Sequence, residues 1–152
     1  SYQYIADFNA VLAADGRDVN SGYSFMLGGC DNAGSIILRS NNELNFNGAI
    51  KLPRVGDTHR RWFHIKIRKH GKRLRFWVDN KLAGDVTDEN PLQGRRFGLW
   101  TWDNGMMIAQ FRISTNGNLE TAPAINQPPI PKTPYDTIYT NADAGFRTGD
   151  RM

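Results

Sequence analysis

Cysteine is almost missing from this 152-residue chain: Cys30 stands alone. That excludes an internal disulfide framework and any zinc site built on cysteines. Long hydrophobic runs are missing as well, the longest covering a few residues where a membrane-spanning helix needs roughly 20. No leader-like stretch opens the chain and its first residue is Ser, so a mature form, a processed fragment or an excised part is expected. A sustained 3.6-residue period is also lacking, and helix content should be low. What is plentiful is aromatic: four Trp, five Tyr and eight Phe. With 39% hydrophobic and 22% charged residues, the composition is that of a globular chain able to bury a core, sized for one domain with an appendage.

Charge is unevenly spread. From Arg54 to Arg75 there are nine basic residues against one acid, Asp57, and all three histidines (His59, His64, His70) fall in the same window. Such a face suits phosphate, sulfate or carboxylate ligands, although a solvated strand face rich in Arg and Lys explains it equally well. No nucleic-acid-binding motif accompanies the charge, so nucleic acid is not the expected partner.

Period-two alternation dominates. In Trp62 to Arg68, Phe63, Ile65 and Ile67 share one face, with Trp62, His64, Lys66 and Arg68 on the other. This reads as a strand covered on one side. After the turn at Gly71, Arg73 to Asp79 buries Leu74, Phe76 and Val78 and turns Arg73, Arg75 and Trp77 outward. A turn at Asp79-Asn80 and a short strand from Leu82 to Val86 complete a meander. Arg96 to Trp102 places Phe97, Leu99 and Thr101 opposite Gly98, Trp100 and Trp102, and Met107 to Ile113 would follow the turn Asp103-Asn104-Gly105 with Phe111 and Ile113 in the core. Tyr2 to Phe8, Gly22 to Leu27 and Ser35 to Arg39 are further strand candidates, while Val11 to Ala14 reads as a loop. The pattern predicts an all-β antiparallel sandwich or jelly roll over residues 1–118. From Leu119 the character changes: Pro123, Pro128, Pro129, Pro131 and Pro134 break any alternation, so 119–152 reads as an extended tail or strap. Its Ile, Tyr and Phe content suggests that it is ordered, packed on the domain or on a neighbouring chain.

The run Trp62-Phe63-His64-Ile65-Lys66-Ile67, then Gly71, then Leu74-Arg75-Phe76-Trp77-Val78-Asp79-Asn80 resembles a signature of concanavalin-like jelly rolls: a Trp-bearing strand, a glycine turn, and a strand ending in Val-Asp-Gly. Its continuation, Asp88 to Trp102 and Phe111-Arg112-Ile113, is similar to the branch holding 3-keto-disaccharide hydrolase-like domains and related bacterial proteins of polysaccharide utilisation. The resemblance implies a carbohydrate-active domain, secreted or periplasmic, binding a glycan on a concave sheet. Asn80 stands where the family has glycine, a substitution that Asn tolerates because it visits the left-handed region readily. The family also has further strands upstream, so a partner chain or second copy completing the sandwich is one expectation.

Whether that glycan is cleaved stays open. The carboxylate pattern E-x-D-x-x-E of the related glucanases is absent, and the acids fall mostly in turns, where they make Asx turns. His64, Tyr23, Arg39 and Gln110 are residue types a uronate lyase would use, with no spacing that ties them together. Cys30 is expected to be a buried structural thiol. No cofactor is called for; Asp31-Asn32 and Asp103-Asn104 offer oxygens for a structural calcium without forming a recognisable loop. The stronger lead is aromatic. Trp100 and Trp102 share a strand face roughly 7 Å apart, and indole faces stack on the apolar faces of sugar rings. The expected glycan site is therefore Trp100 and Trp102 with Asp103, Arg39 and Tyr23 as polar neighbours. The glycan could be anionic; a lectin-like module and a structural subunit docking through its N-terminal edge and tail are the alternatives.

Overall fold

A computed structural model describes residues 7–53, 61–101 and 106–116. The chain divides into two compact units, Ser1–Ala109 and Gln110–Met152. The described sheets all lie in the first, and in the second the described residues, 110–116, contain no strand.

Alternating apolar residues and tight turns build two antiparallel sheets. β1 (Phe8–Ala14), β2 (Tyr23–Gly28), β3 (Gly34–Arg39), β4 (Asn42–Asn47) and β8 (Arg96–Thr101) form a five-stranded sheet in the order β4-β3-β2-β1-β8. β5 (Ile65–His70), β6 (Arg73–Val78) and β7 (Lys81–Thr87) form a three-stranded meander. Two hairpins close through two-residue turns with both residues at positive φ: Ser40-Asn41 (46° and 67°) and Asp79-Asn80 (48° and 65°). That geometry matches the twist of the flanking strands, and Asn and Asp adopt it more readily than most residues.

One face of each sheet turns inward. Tyr23, Phe25 and Leu27 of β2 and Ile37 of β3 meet Leu74, Phe76 and Val78 of β6 and Ala83 of β7. At the centre Phe25 and Phe76 meet edge to face, centroids 5.9 Å apart at 71°, the arrangement that aromatic quadrupoles favour. Phe63, Ile65 and Ile67 pack against this core while staying partly exposed. β7 lies against β3 and β4. There Gly84 allows the approach: a Cβ on it would sit 2.6 Å from Ile37 Cδ1 and 2.9 Å from Asn45 Oδ1.

Three expectations are corrected, and one strand was not expected. Val11 to Ala14 is not a loop but the second half of β1, paired on both sides, with a bulge at Ala13 (φ 58°) that mimics a break in alternation. β4, Asn-Glu-Leu-Asn-Phe-Asn, has only two apolar residues, Leu44 and Phe46, among Asn and Glu, and sequence reasoning missed it. Met107 to Ile113 forms no strand, and Phe111 and Ile113 are exposed. Phe97 is 51% exposed rather than core, because β8 edges the five-stranded sheet at the end away from β3 and β4, where β7 packs. Of the expected strand Tyr2 to Phe8, residues 2–6 lie outside the described residues and Phe8 opens β1; the tail 119–152 also lies outside them. No described helix is long and apolar enough to cross a membrane.

Candidate functional site

The residues expected to share a glycan site are divided by the five-stranded sheet. Tyr23 and Arg39 are direct cross-strand partners in β2 and β3, on the face that holds Phe25. Trp100 is opposite Asn9, and Asn9 is opposite Met26, which puts Trp100 on the other face. Trp102 and Asp103 lie outside the described residues.

Tyr23 and Arg39 instead anchor the segment after β7. The buried Tyr23 hydroxyl donates to Asp88 Oδ2 at 2.5 Å and accepts the Leu92 N–H at 2.8 Å. Arg39 Nε lies 2.8 Å from Asp88 Oδ2, and its Nη2 donates to Asn90 O at 2.9 Å. The Asp88 side chain keeps 10% exposure. Its carboxyl is held below the ordinary 3.8 by the Tyr23 hydroxyl first, against burial, with the Asn90 N–H and Arg39 helping. Burial and the bond to Asp88 push the Tyr23 hydroxyl above 10. The hydroxyl and the carboxylate are thus engaged within the protein.

The Trp100 face is largely buried: Asn9 is 0%, Val11 1%, Ser24 3% and Ile36 4% exposed. Asn9 Nδ2 donates to Asp7 Oδ2 at 2.6 Å, leaving its Oδ1 buried without a partner beside an equally unpartnered Trp100 Nε1.

The outer face of the three-stranded sheet is open. Trp62, His64, Lys66, Arg68 and His70 are all exposed, Trp62 at 63%. In register, Lys66 faces Trp77, Arg68 faces Arg75 and His70 faces Arg73. Lys66 Nζ lies 5.2 Å from the Trp77 ring, within cation–π range. Arg68, His70, Arg73 and Arg75 line an open groove with about 80 Å³ of free space. Asp85 of β7 sits at its side: Arg73 grips it through Nε and Nη2 at 2.7 and 2.6 Å, while Arg75 Nε approaches to 3.4 Å without the alignment of a hydrogen bond. The Arg73 bond, against slight desolvation, keeps the Asp85 carboxyl below 3.8 and raises the Arg73 guanidinium. Trp62, Trp77 and the basic residues were visible as one strand face in the sequence, and their alternation was the signal that could have promoted them above Trp100.

Other candidates do not assemble. The described carboxylates with displaced pKa values (Asp15, Asp79, Asp85 and Asp88) are all displaced downward, the opposite of a general acid poised near neutrality. Asp15 and Asp18 hold a turn through the N–H groups of Arg17, Asp18 and Asn20. His64 is exposed, and its N–H donates to Asp79 Oδ1. Cys30 is exposed, contrary to expectation, because it lies in a one-turn element, Gly29–Asn32, whose Cys30 and Asp31 take left-handed φ of 52° and 55°. Among the described residues no group of three His, Cys, Asp or Glu could hold a metal ion. Comparison with protein-family models, curated proteins and solved structures finds no match for this chain.

Proposed function

We propose that this chain is a non-catalytic glycan-binding domain. In this reading the two sheets are a β-sandwich of the concanavalin-like jelly-roll kind, and the glycan lies across the outer face of the three-stranded sheet. The observation that carries the reading is an uncovered sheet face bearing Trp77 among exposed hydrogen-bond donors, with a second exposed indole, Trp62, three residues before β5. Indoles supply apolar platforms for sugar rings, and flanking Arg, Lys and His side chains bond their hydroxyls. The glycan contact thus moves away from Trp100, whose neighbours are buried. The downward-shifted carboxylates favour binding over hydrolysis.

A secreted or periplasmic setting goes with this role. The test is a glycan array probed with the full chain, with Trp62→Ala and with Trp77→Ala. Wild type should retain at least one glycan class, both variants should weaken it about tenfold, consistent with the loss of one stacking contact, and products should show no cleavage. Trp62→Ala should leave the melting temperature unchanged. A wild-type chain that retains no glycan, or variants that bind as well as wild type, would remove the reading.

A further inference from the structure

We infer that the groove lined by Arg68, His70, Arg73 and Arg75 takes an oxyanion substituent, so that the ligand of this face is an acidic polysaccharide carrying sulfate or carboxylate groups. The inference rests on the glycan reading above and adds the ligand's chemical class. Three guanidiniums surround the groove, and two of them, Arg73 and Arg75, share a single carboxylate, Asp85. Arg68 has no ion-pair partner among the described residues, although it stands directly across from Arg75. Like charges directly opposite one another are destabilising in a sheet; an anion between them turns that repulsion into two charge-assisted contacts.

The charge lining the groove narrows the occupant: three guanidiniums and His70 line one open space, a setting for an oxyanion substituent. Trp77 lies two residues from Arg75 on the same face, a spacing of roughly 7 Å along the strand, which leaves a ring beside the substituent within reach of the indole. Of the cations near the groove, Lys72 is paired with Glu89 at 2.7 Å, whereas Lys66, two residues before Arg68 on the same face, lies over the Trp77 ring and has no ion-pair partner among the described residues. Asp85 acts as an internal competitor. A ligand must take Arg73 and Arg75 from it, which favours repeating acidic chains over a single small anion.

Dextran sulfate, polygalacturonate, neutral dextran, inorganic sulfate and duplex DNA, titrated against the full chain at low and high salt, test the assignment. At least one acidic polysaccharide should bind tenfold or more tightly than neutral dextran and than inorganic sulfate, and salt should weaken it; which of the two binds identifies sulfate or carboxylate. Arg68→Thr, at an exposed position, should lose at least tenfold for that chain with an unchanged melting temperature, while Asp85→Asn should gain affinity. Unchanged affinity in Arg68→Thr overturns the assignment, as does DNA binding as tightly as the acidic polysaccharide. Retention of neutral glycans alone, still sensitive to Trp77→Ala, overturns the acidic class while leaving the glycan reading standing.

Discussion

Tyr23→Phe removes one oxygen and breaks two long-range bonds. The hydroxyl donates to Asp88 Oδ2 and accepts from the Leu92 N–H, so its loss leaves a nearly buried carboxylate to Arg39 and the Asn90 N–H and a backbone donor unpaired. A hydrogen bond to a charged group contributes about 1.5–3 kcal/mol, and the expected cost near neutral pH is about 2 kcal/mol. With a urea slope of about 2 kcal/mol per M, the unfolding midpoint should fall by about 1 M. The pH dependence makes the test sharper. Asp88 has a depressed pKa in the folded chain. Its contribution is therefore fully present above 3.8 and is lost as pH falls through the folded value. Since Tyr23 is the first cause of that depression, the gap between wild type and variant should be widest near neutrality and narrow below pH 3.8. At the alkaline end, the raised Tyr23 pKa stabilises the fold fully below pH 10, and that stabilisation is lost as pH rises through the folded value, a decline the variant lacks. Urea melts across pH read all of this. A gap below about 0.5 kcal/mol, the range of an inconsequential surface change, or one that stays constant through the acid limb would refute the reasoning.

Phe76→Ala empties the centre of the core, where Phe76 is fully buried against Phe25, and should cost about 3–5 kcal/mol in urea denaturation. Gly84→Ala should cost about 1–3 kcal/mol by overpacking, since the new methyl would meet Ile37, itself fully buried, at 2.6 Å. A neutral Gly84→Ala would show that the two sheets separate more easily than this contact implies.

Most strands were legible because burial on one side imposes period two on a sequence. Ile65 to Val78 is the clearest case: each residue assigned inward is buried or packed on the core, and Asn80 takes the left-handed turn expected of it. β4 was illegible because Leu44 and Phe46 stand alone among Asn and Glu, and a register shift interrupts its pairing with β3 between Ile37 and Leu38. Phe97, Phe111 and Ile113 show the converse. Alternation records which side chains share a face and is silent on whether anything covers that face. The same limit explains the expected site. Tyr23, Arg39 and Trp100 are residue types suited to a glycan, and only register reveals that the sheet runs between them.

The basic face also has a plainer explanation, and topology weighs against it as a full account. Charged side chains on an edge strand deter pairing with other chains, and β5 is an edge. Lys66 and Arg68 serve that purpose whatever else they do. β6 is the central strand of its sheet, hydrogen-bonded on both sides, so it has no edge to protect. It nevertheless presents Arg73 and Arg75, the first across from His70 and the second across from Arg68. Asp85 compensates part of this charge from β7, through Arg73 above all. It leaves the Arg68–Arg75 juxtaposition, an arrangement that costs stability in a sheet. Edge protection thus accounts for the cations of β5, whereas those of β6 are the ones the proposed ligand would engage.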